Sequence, residues 1–313
     1  MNRIFSVWMN VVAAALIVSS TAFAANEKPS GSEIKAALER GKIVRDVKAL
    51  VPAALGKNAF VIKISGVRCG HGITTLEDAK GENGAVYKLT EEARSAQADD
   101  DSARIFDYKG TYLLNSRLGL VSGTLRWKET TKEMKGTKQD VTEESCVMTV
   151  EKDTLKWTAT VGGEVSKDSV ALNGETPIPQ SILCTLAAFL GNNSEALGKP
   201  LCVPELAPRA DKDSFDIQTA WITFDKAKDK PGAGYARMFH LIGLPERKEL
   251  EELPGEVWTA PQVLTLNGVA ITSYPDAAPN IDVEPIAPDK LDPETSLDLA
   301  KIAAASSEMQ PKK

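Results

Sequence analysis

CVMTVEKDTLKWTATV, residues Cys146 to Val161, decides the fold. Its second arm sets Leu155, Trp157, Ala159 and Val161 on one side and Thr154, Lys156, Thr158 and Thr160 on the other. That is the period of two of a half-buried strand. The first arm aligns Cys146, Met148 and Val150, and Glu151-Lys152-Asp153 supplies a polar bend. The stretch predicts a β-hairpin with one core face and one wet face, and Trp157 falls on the core face.

Working outward, Lys128 to Glu144 is dense in charges and threonines and predicts the exposed arms and tip of a ribbon. Before it come strands at Phe60–Ile64, Ile105-Phe106, Tyr112–Leu114 and Leu118–Trp127, the last with Val121, Leu125 and Trp127 on one face. Gly66 to Gly72 reads as a glycine-punctuated loop, and the polar run Glu77–Ser102 as a long excursion with at most a short helix near Glu91. Downstream, Gln180–Leu190 is apolar on nearly every side, the pattern of a buried helix. A second strand set follows. Phe215, Ile217 and Trp221 alternate with Ala220, Ile222 and Phe224, which predicts a strand covered on both faces. Ala236–Ile242 is another strand, and Asn267-Gly268 marks a tight hairpin after Val263–Leu266. After Tyr274 prolines and acids predict an extended tail, with a helix from about Asp292 to Ala305 whose alanine face is too weak to dock.

The first residues bound the compartment. Arg3, the apolar run Ile4–Val18 and Ala22-Phe23-Ala24 before a polar start form a secretory signal peptide, with cleavage expected after Ala24. No later stretch is long and apolar enough to span a membrane, and no cysteine near the cleavage site points to a lipid anchor. Removal leaves 289 of the 313 residues and a net charge of −7 in place of −6. No global basic field remains for phosphates, so nucleic acid is not an expected partner. The four cysteines, an even number in an exported chain, predict two disulfides, Cys184–Cys202 and Cys69–Cys146.

Catalytic patterns are sparse. Cys69-Gly70-His71 places a thiol near an imidazole, the pairing that activates a cysteine nucleophile, and competes with its reading as half of a disulfide beside a loop histidine. Gly119-Leu120-Val121-Ser122-Gly123 carries its serine one place too late for a nucleophile elbow. Ser32-Glu33-Ile34-Lys35 is explained by a capping serine. Gly198-Lys199 follows the wrong spacer for a phosphate loop. Asp99-Asp100-Asp101 offers oxygens to a cation without the glycine and glutamate of a calcium loop, so a solvated acidic run is preferred. Neither C-x-x-C nor H-E-x-x-H occurs for zinc, and no cofactor is implied.

The expected fold is mainly β with a few helices (α+β): an antiparallel, sandwich-like β domain plus a smaller β unit. The boundaries are signal peptide 1–24, helical segment 25–58, β domain 59–174, buried helix and disulfide loop 175–204, second β unit 205–274 and a partly disordered tail 275–313. The expected function is that of an exported, non-catalytic periplasmic or secreted bacterial protein that binds a protein or cell-envelope component. The alternatives are an exported hydrolase with scattered catalytic residues and an accessory factor in secretion or surface assembly.

Overall fold

A computed structural model describes residues 55–81, 84–172, 174, 176–179, 182, 201–208, 215–226, 234–242, 262–265, 281–292 and 295–307. The eight strands β1 (Gly56–Ile64), β2 (Val67–Asp78), β3 (Tyr87–Ala98), β4 (Ser102–Leu114), β5 (Leu120–Glu133), β6 (Gln139–Glu151), β7 (Thr154–Val161) and β8 (Glu164–Ala171) form an antiparallel meander. Each strand pairs with its chain neighbours, so each turn fixes the register of the next pair. The hairpin of β6 and β7 sets Cys146 opposite Ala159, Met148 opposite Trp157 and Val150 opposite Leu155. Lys152 takes a φ of 56° in the bend. Trp157 is buried, as its alternation requires.

A second sheet contains β9 (Ile178–Pro179), β10 (Leu201–Pro208), β11 (Phe215–Lys226), β12 (Gly234–Ile242) and β13 (Gln262–Thr265) in the order β13-β12-β11-β10-β9. β11 lies between β10 and β12, the central place that its two apolar faces predict. Phe215 meets Trp157 edge to face, with ring centroids 5.4 Å apart. Val203, Leu206, Phe215 and Ile217 belong to the same hydrophobic cluster as the inner face of the meander. The fold is therefore mainly β and antiparallel, with a smaller sheet sharing the core of a larger one. The segment 25–54, the Asn267-Gly268 turn and all of the apolar helix except Ile182 lie outside the described residues. Ile182 is helical and buried.

Three local expectations change. Residues Gly66–Gly72 are not a loop: Ser65 and Gly66, with φ of 48° and 79°, make a two-residue turn, and β2 starts at Val67. Gly72 is a strand glycine because the ring of Phe60, directly opposite, lies where its Cβ would be. The polar run after Glu77 contains β3, a 12-residue strand with no helix near Glu91. Its carboxylates misled because one of them, Glu91, faces the core. Val121 leaves the face of Leu125 and Trp127, since the register shifts between Leu113 and Leu114, and packs with Leu113 instead.

The tail is the larger correction. β14 (Ile281–Ile286) pairs antiparallel with β1 along the edge that the meander leaves open, from Ala59 opposite Ile286 to Ile64 opposite Ile281. Pro285 is tolerated because β14 is itself an edge strand. Leu291 then packs on Ala59 and Val61. Helix α1 (Leu299–Ser307) crosses β1, β2 and β3. It is shorter than predicted and starts where Asp298 accepts from the backbone N–H of Lys301 at 3.1 Å. Its alanine face docks after all: Ala303 and Ala305 are buried, Ile302 is completely so, and the helix lies mainly against β3, whose Ala96 and Ala98 belong to the same buried cluster.

Truncation after Tyr274 is accordingly expected to lower the thermal midpoint sharply. Ile302→Ala alone should cost about 2–5 kcal/mol in urea unfolding. A truncated chain that melts like the full one would show that the tail adds nothing to the core.

Candidate functional site

On the inner face of the meander, directly opposed residues form ranks that run across the strands. One rank is Gly72, Ala93, Tyr108, Trp127, Glu144 and Val161. The next is Thr74, Glu91, Gly110, Leu125, Cys146 and Ala159, and the third is Leu76, Leu89, Tyr112, Gly123, Met148 and Trp157. Each rank sets at least one large side chain directly beside a glycine or alanine. Tyr108, Gly110 and Tyr112 point the same way on β4, and glycine at the centre lets the phenols fold toward each other.

The two phenol oxygens are 3.0 Å apart, and Tyr108 donates to Glu91 Oε2 at 3.1 Å. That leaves Tyr112 to donate to the Tyr108 oxygen. A Cβ at position 110 would lie 2.5 Å from the Tyr108 oxygen, so only glycine fits beneath the clasp. Glu91 stands opposite Gly110 on β3, which brings its carboxyl to the phenols. A second buried carboxyl, Glu144, accepts from the Trp127 indole N–H across one strand pair. All five polar side chains are buried. Burial, helped by the nearby Glu91 carboxyl, pushes the Tyr112 phenol well above its usual 10.0, against the smaller effect of its bond with Tyr108. A proton on Tyr112 is thereby held in place, and the cluster acts as a lock on the sheet. Its sequence signal is Tyr108-x-Gly110-x-Tyr112, two phenols flanking a glycine on one strand face, a spacing that matches no catalytic motif.

The residues singled out from the sequence are not brought together. Cys69 falls where the ladder of β1 and β2 shifts register, and its Sγ donates to the Ile62 carbonyl at 3.6 Å. Burial pushes its thiol from 9.0 up to about 12, the reverse of an activated nucleophile. His71 is buried on the outer face of β2, opposite Val61 and Arg94. The predicted Cys69–Cys146 disulfide is corrected: both are separate buried thiols. Three strands intervene between β2 and β6, whereas a disulfide needs Cα atoms within about 7 Å. Burial pushes Cys146 to about 12 as well. Cys184 and the side chain of Cys202 lie outside the described residues.

Asp99-Asp100-Asp101 forms the turn between β3 and β4. Asp99 Oδ1 accepts from the N–H groups of Asp101 at 2.9 Å and Ser102 at 2.7 Å, and these bonds hold its carboxyl below the usual range. The carboxylate is occupied by the turn, and no cluster of three metal-binding side chains occurs among the described residues.

Fold and site together define a mainly β protein with a hydrogen-bonded cluster of tyrosine, tryptophan and glutamate side chains in its core. No family model matches the chain, and no curated relative matches it. Among solved structures it is similar to a β-barrel-like protein of domain of unknown function DUF1849 from Brucella abortus, at 9% sequence identity and a TM-score of 0.36, over 74% of this chain and 94% of that chain.

Two outcomes follow from the lock and the thiols. Gly110→Ala should cost about 1–3 kcal/mol from overpacking, and distinctly less in a Tyr108→Phe background that removes the nearest atom. Equal costs in both backgrounds would dissociate Gly110 from the clasp. Above pH 9 the unfolded chain sheds thiol protons that the native chain keeps, because the native values are near 12. Stability must therefore be full below about pH 9 and fall as pH rises, by about 1.4 kcal/mol per pH unit for each such group. Urea midpoints from pH 8 to 11 should show that slope, and the Cys69→Ala/Cys146→Ala variant should lose most of it.

Proposed function

We propose that the chain is an exported, non-catalytic protein of a bacterial envelope that acts by binding. The observation that carries this reading is the state of the interior. Of the buried carboxyls, Glu91 and Glu144 are engaged by phenol and indole, and both described thiols are held protonated. Those groups favour rigidity over chemistry. Cys69 and His71, the pair that the hydrolase alternative would use, gain no support, because the thiol is turned to a backbone carbonyl and raised. Among the described residues no helix is long and apolar enough to cross a membrane. The outer sheet face, in contrast, keeps Lys109, Arg126, Lys128 and Glu143 exposed.

Export is tested by expressing the whole chain in a bacterium and sequencing the N-terminus of the recovered protein. It should begin at Ala25 and be found outside the cytoplasm. Recovery of intact Met1 in the cytoplasmic fraction would remove the envelope assignment.

A further inference from the structure

The outer face of the meander is also organised in ranks, and they differ in chemistry. One alternates in sign, Arg94, Asp107, Lys128 and Glu143, with ion pairs of 3.5 Å for Arg94–Asp107 and 3.8 Å for Lys128–Glu143. The next breaks the alternation: Glu92, Lys109, Arg126, Ser145, Thr160. Two cations stand directly opposite each other, an arrangement that destabilises a strand pair. Lys109 reaches Glu92 at 3.2 Å, while exposed Arg126 makes no ion pair among the described residues.

Beside this pair runs a rank with no acid in it: Lys57, Thr75, Thr90, Thr111, Thr124, Val147, Thr158 and Lys167. From β2 to β7 it covers five strand spacings, about 24 Å, with a β-branched side chain about every 4.8 Å. Threonine pairs steady a sheet, and this accounts for the residue type. It does not account for the opposed cations, nor for Val147 left 52% exposed in the middle of the rank. In a protein of net charge −6, this strip is locally basic.

We propose that the outer face of β4 to β7 is a docking surface for an acidic polysaccharide. The polymer lies across the strands along the threonine rank, its carboxylates or phosphates against Lys109 and Arg126 and its hydroxyls against Thr111, Thr124 and Thr158. Charge complementarity selects the anion, and hydroxyls repeated at the strand spacing select a polymer that can both donate and accept hydrogen bonds along its length. Val147 offers an apolar contact to the sugar face. The proposal rests on the binding reading above and names its ligand class.

The test is retention of the mature protein on immobilised polygalacturonate, with dextran as neutral glycan and polyglutamate as anionic non-glycan. Retention on polygalacturonate alone is expected, and it should weaken as salt screens the exposed cations. Arg126→Glu/Lys109→Gln should reduce it about tenfold or more. Thr111→Val/Thr124→Val, which keeps the strand shape and removes two hydroxyls, should reduce it about fivefold or more. Equal retention on polyglutamate would reduce the site to charge alone and overturn the proposal, as would equal retention on dextran, insensitivity to the variants or no retention on any matrix. N-terminal processing at Ala25 is read separately, so failure here with correct export leaves the binding reading standing with another partner.

Discussion

A carboxyl on the core face of a sheet must find donors there, and the meander is arranged so that Glu91 does. Its donor Tyr108 reaches it only because position 110 lacks a side chain, and Tyr112 completes the chain of hydrogen bonds from the other side. The same device recurs where the Phe60 ring covers Gly72 and where Tyr112 and Met148 cover Gly123. An aromatic ring laid over a glycine keeps the face filled without lengthening the layer. Register is fixed as a result, since a one-residue slip on β4 would turn Tyr108, Gly110 and Tyr112 to water together.

The hairpin of β6 and β7, the strands around it and the central place of β11 were legible because their apolar residues alternate without interruption. β3 was not, because Glu91, Arg94 and Ser95 look like solvent residues until their partners on β4 are known. The glycines of β2 were misleading for a related reason: a glycine needed for close approach of a ring has the same letter as one needed for a turn. Cysteine parity suggested a Cys69–Cys146 link, yet only the strand order reveals that the two are kept apart. The tail was misjudged on composition. Backbone pairing by β14 requires no particular side chains, and the alanine face of α1 is buried with Ile302 at its centre. Of the buried polar cluster, only the Tyr108-x-Gly110-x-Tyr112 spacing was available to the sequence reader.

The two edges of the large sheet are handled differently. One is covered by β14, while β8, the other end of the sheet, carries Lys167 and Asp168 and is largely exposed. A symmetric pairing of two copies sets a central residue of β8 against itself. Centred on Lys167 or on Asp168, it brings like charges together, which guards the edge against self-association.

The covering of β1 by β14 also sets an order of events. Ile64 and Ile281 are paired, yet 217 positions of chain separate them. At about 5–20 residues per second, synthesis leaves the edge of β1 bare for roughly 10–40 s after β1 and β2 exist. Hairpin closure within the meander takes microseconds, so a nascent chain held in the cytoplasm would present a finished but unsealed sheet to its neighbours on the ribosome. β14, made only after the whole meander, ends this exposure, and a chain that stalls before Ile281 keeps the edge of β1 bare.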